Sequence, residues 1–510
     1  MKKLSAASLD VWLRIMAVVL AGASAVSYLT FGPYFSPDTV NYFHFAGELF
    51  NASFWSGIYA PLYPFLLFCL TSIPGVSMFT AAHLLILAQY GLGLLFLFKL
   101  GNTLSQYQRF QLSSRSSLTS LLLICYHTWW SFRIVTWAHA DAGFYALLIV
   151  WFYFMTKNFQ NPSPKNRLVF ALLGAVLIWL KPNGFVLVPF FFLMLVLDRD
   201  RKKWLIPLGF LSGSFLLLRL AVPHQLLDTH LQDGLNSGFR SGGLDIFASN
   251  LGAFFKTSLG FFVSDLLSDY IPSGLAMLGG GLLLVLLAYL ALAEIVKGIG
   301  LASVFYLFGW VYLLCLLVFQ QIIGFEEVNY RTLFPFFLPM SWYIWLKLLN
   351  DRRPHRISAL ALAALLCAHT LVGQVWLFKR EEVNSLFAVE RLKESRLMGE
   401  LDSLGMDALG MNIHFFSDKP ATLGLLLNDP SVSHYHPLNE FVRGKNRGLP
   451  EPERERRFQK MKEDLEQGEA ALVLFGKTEL ADSLAGVHGL VVRNFGEGTV
   501  IYADKVVPEP

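Results

Sequence analysis

The chain has 510 residues, of which 54% are hydrophobic and only 15% are charged, and its formal net charge is +4. Soluble domains carry about a quarter charged residues. This composition, with a mean hydropathy of +0.49, therefore excludes an ordinary soluble protein and indicates a polytopic membrane protein. The four cysteines all lie inside apolar runs, which is typical of small buried side chains and not of a disulfide or metal framework; they are Cys69, Cys125, Cys315 and Cys367.

The first apolar run, from Val11 to Phe31, is as long as a bilayer span and follows Lys2 and Lys3. A signal peptide would begin in the same way, but the run is longer than a typical signal-peptide core, so it predicts an uncleaved first helix. With the basic N-terminus on the cytoplasmic side, the loop at 32–77 faces outward. Within that loop, the run 61–72 is too short to span and is expected along the membrane surface.

The positive-inside rule, applied to each later apolar run, predicts about 11 transmembrane helices within residues 1–378. The outward segments include a long stretch at 223–270, interpreted as a polar loop. Its acidic and histidine residues lack the regular spacing of metal ligands; they are His224, Asp228, His230 and Asp233.

From Lys379 the composition changes to a charged sequence with short β-type runs at 471–475, 489–495 and 498–504. Gly496-Glu497-Gly498 is a plausible hairpin connection between the last two runs. Helical patterns fill much of 381–409 and 452–467. Residues 379–510 are therefore predicted to form a small α/β domain, extracytoplasmic if the number of spans is odd.

Two acidic residues stand next to predicted helix starts. Asp38 follows Ser36-Pro37 in the first external loop, and Asp141 precedes a long apolar run. Carboxylates beside a membrane span are costly to desolvate and are functional candidates for that reason. The alternative for each is a helix N-cap, a position that favours aspartate.

Two cations among those predicted outside are candidates for holding a phosphate. Arg331 follows Glu326 and Glu327 at the mouth of a helix, and a guanidinium suits bidentate phosphate contact. An ion pair with either glutamate is the alternative. Lys181 stands in the break of Lys-Pro-Asn-Gly; the alternative is a side chain that snorkels to the interface. The other outward cations are Arg133, Arg240 and Lys256.

Several motifs in this order resemble one family. The segments SPDTVNYFHFAGEL, APLYPFLLFCLTSIPG, WLKPNGFVLVP and NYRTLFPFFLP are similar to the GT-C membrane glycosyltransferases. The likeness is to the protein-mannosyltransferase-like branch, which includes the bacterial aminoarabinose transferases. It covers roughly residues 10–350. It implies an α-helical GT-C fold, and the C-terminal part resembles the extracytoplasmic domains of such enzymes.

The resemblance also implies roles. Asp38 would be the general base, and Asp141 would assist it or bind the acceptor. Ile58-Tyr59-Ala60 departs from relatives that carry a cation just before Pro-Leu-Tyr. No cofactor is expected, although Asp38 with Asp141 or His44 could be imagined as holding a divalent metal. The residues expected to bind substrate are Arg331, Lys181, Tyr42, Tyr63 and Tyr330.

The sequence therefore predicts an inverting membrane glycosyltransferase of the inner (plasma) membrane. The donor would be a sugar on a polyprenyl phosphate, and the acceptor a lipid, glycan or protein; no nucleic acid partner is expected. Two alternatives stay open. A transporter or flippase would need acids or broken helices near mid-membrane, commonly in two matched halves. A non-catalytic assembly scaffold is the other.

Overall fold

A computed structural model describes most of the chain. The described residues are 6–47, 60–107, 112–131, 138–198, 201–221, 243–262, 270–323, 328–350, 353–380, 386–403, 413–427, 431–434, 451–475, 479–484, 487 and 489–504.

The first 380 residues form helices wherever the structure describes them beyond short connections. The helices are α1 (Ala6–Phe31), α2 (Pro37–Gly47), α3 (Leu62–Thr71), α4 (Met78–Tyr107), α5 (Leu112–Ser131), α6 (Ala140–Gln160), α7 (Pro164–Leu180), α8 (Leu187–Leu197), α9 (Lys202–Ala221), α10 (Gly243–Phe262), α11 (Ser273–Lys297), α12 (Leu301–Ile323), α13 (Tyr330–Asn350) and α14 (Arg353–Arg380), with a 3-10 turn (Pro182–Val186) between α7 and α8.

Five of the described helices are long and apolar enough to cross a membrane, judged by length and composition alone. They include most of α1, α4 and α13 and correspond to sequence runs that the topology analysis placed in the bilayer. The predicted class, an α-helical polytopic membrane protein with a small C-terminal α/β unit, is confirmed. The number of 11 spans and the domain boundary at 378 stay predictions; α14 itself continues to Arg380.

The prediction of a loop over 223–270 is wrong for part of that stretch, because 243–262 forms the helix α10. Its packing partner is α11, and glycine is what brings the two backbones together. A Cβ on Gly280 of α11 would lie 2.1 Å from the carbonyl oxygen of Leu251 in α10. Asn250, Thr257 and Ser258 give α10 a polar content that lowers its hydropathy, although all three side chains are buried.

Aromatic side chains fill the centre of the helical bundle. Trp151 and Phe152 of α6 meet Phe308 of α12, with ring centroids 5.5 and 4.9 Å apart respectively. Phe152 also packs edge-on against Trp342 of α13, at 5.2 Å. Tilted and edge-to-face pairs of this kind stabilise a core beyond the area they bury. These ring contacts hold α6, α12 and α13 together. Two of these helices, α6 and α13, begin next to the candidate residues Asp141 and Arg331.

Ion pairs hold the two ends of α13. Lys347, near its C-terminal end, contacts the buried Glu294 of α11, with an Nζ–Oε1 distance of 3.0 Å. Ser303 and Tyr343 donate hydrogen bonds to the same carboxylate. At the opposite end of α13, Arg331 contacts Asp38. Each end of α13 is thus fixed by an ion pair to another helix.

The C-terminal unit is a five-stranded sheet with helices. Its elements are α15 (Leu386–Lys393), α16 (Arg396–Ser403), β1 (His414–Ser417), α17 (Pro420–Leu427), β2 (Ser433–His434), α18 (Glu451–Gln467), β3 (Ala470–Leu474), α19 (Glu479–Leu484), β4 (Leu490–Asn494) and β5 (Thr499–Ala503). The strand order is β2-β1-β3-β5-β4. The three predicted strands are present, and β4 and β5 pair antiparallel as the proposed hairpin requires. The short parallel strands β1 and β2 were not predicted.

The C-terminal unit contacts the first external loop directly. The amide of Leu386 donates to the carbonyl of Pro33 at 2.8 Å. The Phe387 ring stacks on His83 with centroids 5.8 Å apart, and it stands against Gly32, whose φ of +67° favours glycine. Helix α17 packs on α2, so the unit covers the helix that begins beside Asp38.

Candidate active site

Asp38 lies in the first turn of α2. The amide of Ser36 donates to the Thr39 hydroxyl at 3.0 Å, and the amide of Thr39 donates to the Ser36 carbonyl at 2.9 Å. These bonds fix the start of the helix. Upstream, the carbonyl of Tyr34 accepts a 2.9 Å bond from the amide of Ala138, which joins this loop to the segment that leads into α6. The Asp38 side chain is 34% exposed.

Asp141 lies in the first turn of α6, and His139 is the N-cap of that helix. The Nδ1 atom of His139 is 3.1 Å from the Asp141 amide, which donates to it, and 3.0 Å from a carboxylate oxygen of Asp141. The sequence analysis left an N-cap role open for Asp141, but the structure assigns the cap to His139. His139 is fully buried.

Lys181 ends α7 at the break that the sequence predicted. Its backbone amide still donates to Leu177, while its own carbonyl accepts from Gly184 across the 3-10 turn. Glycine is required at 184, because a Cβ there would lie 2.8 Å from the backbone nitrogen of Ile178. The ammonium of Lys181 contacts the Asp141 carboxylate, and the side chain is 18% exposed. Lys181 therefore reaches into the site and does not snorkel outward.

Arg331 is the second residue of α13, and Asn329 caps that helix by accepting from the amide of Thr332 at 3.0 Å. The Nη1 atom of Arg331 is 2.8 Å from a carboxylate oxygen of Asp38 and 3.8 Å from one of Asp141. Four side chains that sequence reasoning selected one by one thus form a single cluster: Asp38, Asp141, Lys181 and Arg331.

Sequence reasoning did not single out the tyrosine that links two members of this cluster. The hydroxyl of Tyr145 lies 2.6 Å from the Arg331 carbonyl oxygen and 3.2 Å from an oxygen of Asp141. Tyr145 follows Asp141 by four residues, so both lie on one face of α6; that spacing was the available signal. A second link, also not predicted, runs from Asn183 through the Tyr312 hydroxyl to the Thr332 carbonyl, at 2.9 and 2.8 Å.

Three tyrosines were expected to bind substrate, and each is described by the structure. Tyr42 and Tyr63 pack edge-on against each other, with centroids 4.9 Å apart, and join α2 to α3. Tyr63 is fully buried, and its hydroxyl has no hydrogen-bond partner among the described residues. Tyr330 precedes Arg331 and is partly buried. Substrate contact by these three residues stays a prediction.

Some residues weighed in the sequence analysis lie outside the described parts of the chain. They are Arg133, the histidines and acids at 224–233, Arg240, Glu326, Glu327, and Ile58 and Tyr59 of the departure from the family pattern. Among the residues that the structure does describe, no group of three or more histidine, cysteine or acidic side chains could hold a metal ion. Lys256 is carried by α10.

The cluster combines two carboxylates with two cations at the ends of four helical elements. Both carboxylates lie in first turns, where the helix dipole favours negative charge. Asp141 is enclosed, with a side chain only 4% exposed, whereas Asp38 is accessible. An accessible carboxylate can take a proton from a bound nucleophile. The neighbouring cations can stabilise negative charge on a leaving group.

No protein-family model matches the chain, and no curated protein matches it. Among solved structures, the chain is similar to ArnT from Cupriavidus metallidurans bound to undecaprenyl phosphate, with 13% identity and a TM-score of 0.49. It is also similar to the same protein in the apo state, with 14% identity and a TM-score of 0.43. Each alignment covers 98% of this chain and 99% of the other. Likeness of this degree does not extend to the reaction or to individual residues.

Proposed function

We propose that this protein is a GT-C membrane glycosyltransferase that moves a sugar from a polyprenyl-phosphate donor to a lipid, glycan or protein acceptor at the outer face of the membrane. The observation that carries the proposal is the cluster in which Asp38 contacts Arg331 while Asp141 contacts Lys181. It provides an accessible base and two cations within one small volume. The family resemblance of residues 10–350 implies the same role for Asp38, and Arg331 and Lys181 are the external cations that the sequence offered for the phosphate.

In the proposed reaction, a hydroxyl or amine of the acceptor attacks the anomeric carbon of the sugar. The new bond forms as the bond from that carbon to the phosphate oxygen breaks, which inverts the configuration. The acceptor's proton passes to Asp38. The electron pair of the broken bond stays with the polyprenyl phosphate, and its charge is stabilised by Arg331 and Lys181.

The enclosed carboxylate has a different part in this scheme. Asp141 is surrounded by Lys181, His139 and Tyr145, so it holds the cations in place and has little access to an acceptor. We assign Asp141 as a positioning residue, in place of the role implied by the resemblance, in which it assists Asp38 or binds the acceptor.

The experiment compares surface glycans by mass spectrometry in cells that lack the gene and carry either the wild type or Asp38→Asn. Glu400→Gln serves as control, because Glu400 forms a comparable carboxylate–arginine pair with Arg493 in the C-terminal unit. We expect the wild type and the control to restore one sugar and Asp38→Asn not to, at equal membrane abundance. Full restoration of the glycan by Asp38→Asn would show that Asp38 is not the general base, and it would favour the transporter or scaffold alternative.

A further inference from the structure

Within the part of the chain that the structure describes, the cations of the charged cluster are paired with carboxylates. Asp38 and Asp141 contribute two negative charges, and Lys181 and Arg331 contribute two positive charges, all at contact distance. A phosphodiester or phosphate that enters brings at least one further negative charge. It must therefore compete with a carboxylate for a cation, because the cations are already neutralised where they stand.

The two carboxylates differ in what their release would cost. The Asp141 side chain is 4% exposed and lies against Lys181, His139 and Tyr145. Removing the partner of a buried charge is strongly destabilising. The Asp38 side chain is 34% exposed, so water can solvate its carboxylate when the ion pair with Arg331 is broken. Asp38 is therefore the carboxylate that separates from its cation at the lower cost.

Arg331 is placed to exchange partners without leaving the site. Its Nη1 is 2.8 Å from Asp38 and 3.8 Å from Asp141, and a guanidinium carries five N–H donors in a fixed plane. If Asp38 leaves, Asp141 still attracts Arg331, and the N–H donors that Asp38 occupied become available to a phosphate. The backbone of Arg331 is fixed by the Tyr145 hydroxyl at 2.6 Å.

We infer that the Asp38–Arg331 ion pair masks the base in the empty site, and that binding of the polyprenyl phosphate group breaks this pair and releases Asp38. The inference rests on the proposed function. A carboxylate beside a guanidinium holds a proton less well than one beside another anion. The donor lipid thus switches on the proton acceptor, and the donor binds before the acceptor's proton can be removed.

The test measures the affinity of the purified full-length protein in detergent for undecaprenyl phosphate, the probe. If Asp38 competes with phosphate for Arg331, Asp38→Asn binds the probe about five-fold more tightly than the wild type, the change expected when one ion pair of ordinary strength no longer competes. Arg331→Gln binds more weakly. Glu400→Gln, which removes the matched pair with Arg493 in the C-terminal unit, binds as the wild type does.

The double variant separates this exchange from simple charge repulsion. If Asp38 acts by occupying Arg331, Asp38→Asn gives no gain when Arg331→Gln is already present. A gain that persists in that background overturns the inference and shows general repulsion. An unchanged or weaker affinity of Asp38→Asn overturns it too, with the proposed donor class intact. If neither the wild type nor any variant binds the probe, the polyprenyl-phosphate donor is wrong, and the inference fails with it.

Discussion

Tyr145 lies between Arg331 and Asp141, two members of the charged cluster. Its hydroxyl stands between the carbonyl of Arg331 and the carboxylate of Asp141. A phenolic proton serves one acceptor at a time, and the shorter contact is with the carbonyl. Tyr145 therefore ties the start of α13 to α6, although Tyr145 and Arg331 are 186 positions apart in sequence.

We expect Tyr145→Phe to lower glycosyl transfer by about five-fold, because one buried hydrogen bond contributes about 1 kcal/mol and its loss loosens the backbone of Arg331. Binding of undecaprenyl phosphate should change less than turnover. The measurement is the rate of sugar transfer into the surface glycan, with lipid affinity measured in parallel.

Tyr306→Phe is the matched control for Tyr145→Phe. Tyr306 is as buried, and its hydroxyl also donates to a backbone carbonyl at 2.6 Å, that of Leu287, away from the cluster. Both variants should lose similar thermal stability, but only Tyr145→Phe should lose activity. Equal losses of activity would mean that Tyr145 has a structural role only.

At the scale of single residues, the sequence identified the charged groups but not their partners. Asp38, Asp141, Lys181 and Arg331 could be selected because charges are costly beside a membrane. Their mutual contacts could not be derived, because contacts between distant helices leave no local pattern. His139, which no local pattern marked as a helix cap, is fully buried and caps α6.

At the scale of elements, α10 shows why hydropathy alone is an incomplete guide. Its buried polar residues lower the mean hydropathy, so a long loop was predicted there. The helix is held by close packing on α11, at Gly279 and Gly280, where side chains would collide. The C-terminal strands were easier to predict, since β3 and β5 are continuous buried runs of apolar residues.

Gly280→Ala should weaken the packing of α10 on α11. The added Cβ would lie 2.1 Å from a backbone oxygen, so the helices must separate, at a cost of about 1–3 kcal/mol. Gly281→Ala is the control, because nothing lies within 4 Å of its added Cβ and alanine favours the helix. Thermal unfolding in detergent should show a lower midpoint for Gly280→Ala only. A lower midpoint for both variants would mean that the substitutions destabilise α11 itself and not its packing on α10.

At the scale of the whole molecule, the C-terminal unit contacts the segment between α1 and α2 that leads to Asp38. Helix α15 binds that loop through Leu386 and Phe387, and Lys393 stands 3.9 Å from the centroid of the Phe79 ring. Helix α17 packs on α2. The unit therefore helps to fix the helix whose first turn carries Asp38.

Phe387→Ala should reduce transfer by several-fold without removing any group from the cluster. The lost contacts with Gly32 and His83 would loosen the loop, at a cost of about 1–2 kcal/mol. Arg391→Ala, an exposed position on the same helix, is the control and should leave transfer unchanged. Limited proteolysis of the full chain would detect the loosened unit. Wild-type activity in Phe387→Ala, together with increased cleavage, would show that docking does not position Asp38.

The distance in sequence between Asp38 and Arg331 has a consequence for the synthesis of the protein on the ribosome. The two residues that form the ion pair are 293 positions apart, and a ribosome adds about 5–20 residues per second. Asp38 is therefore made about 15 to 60 seconds before the residue that masks it. A nascent or truncated chain that ends before α13 lacks Arg331, so the charged cluster can assemble only after the synthesis of α13 has begun.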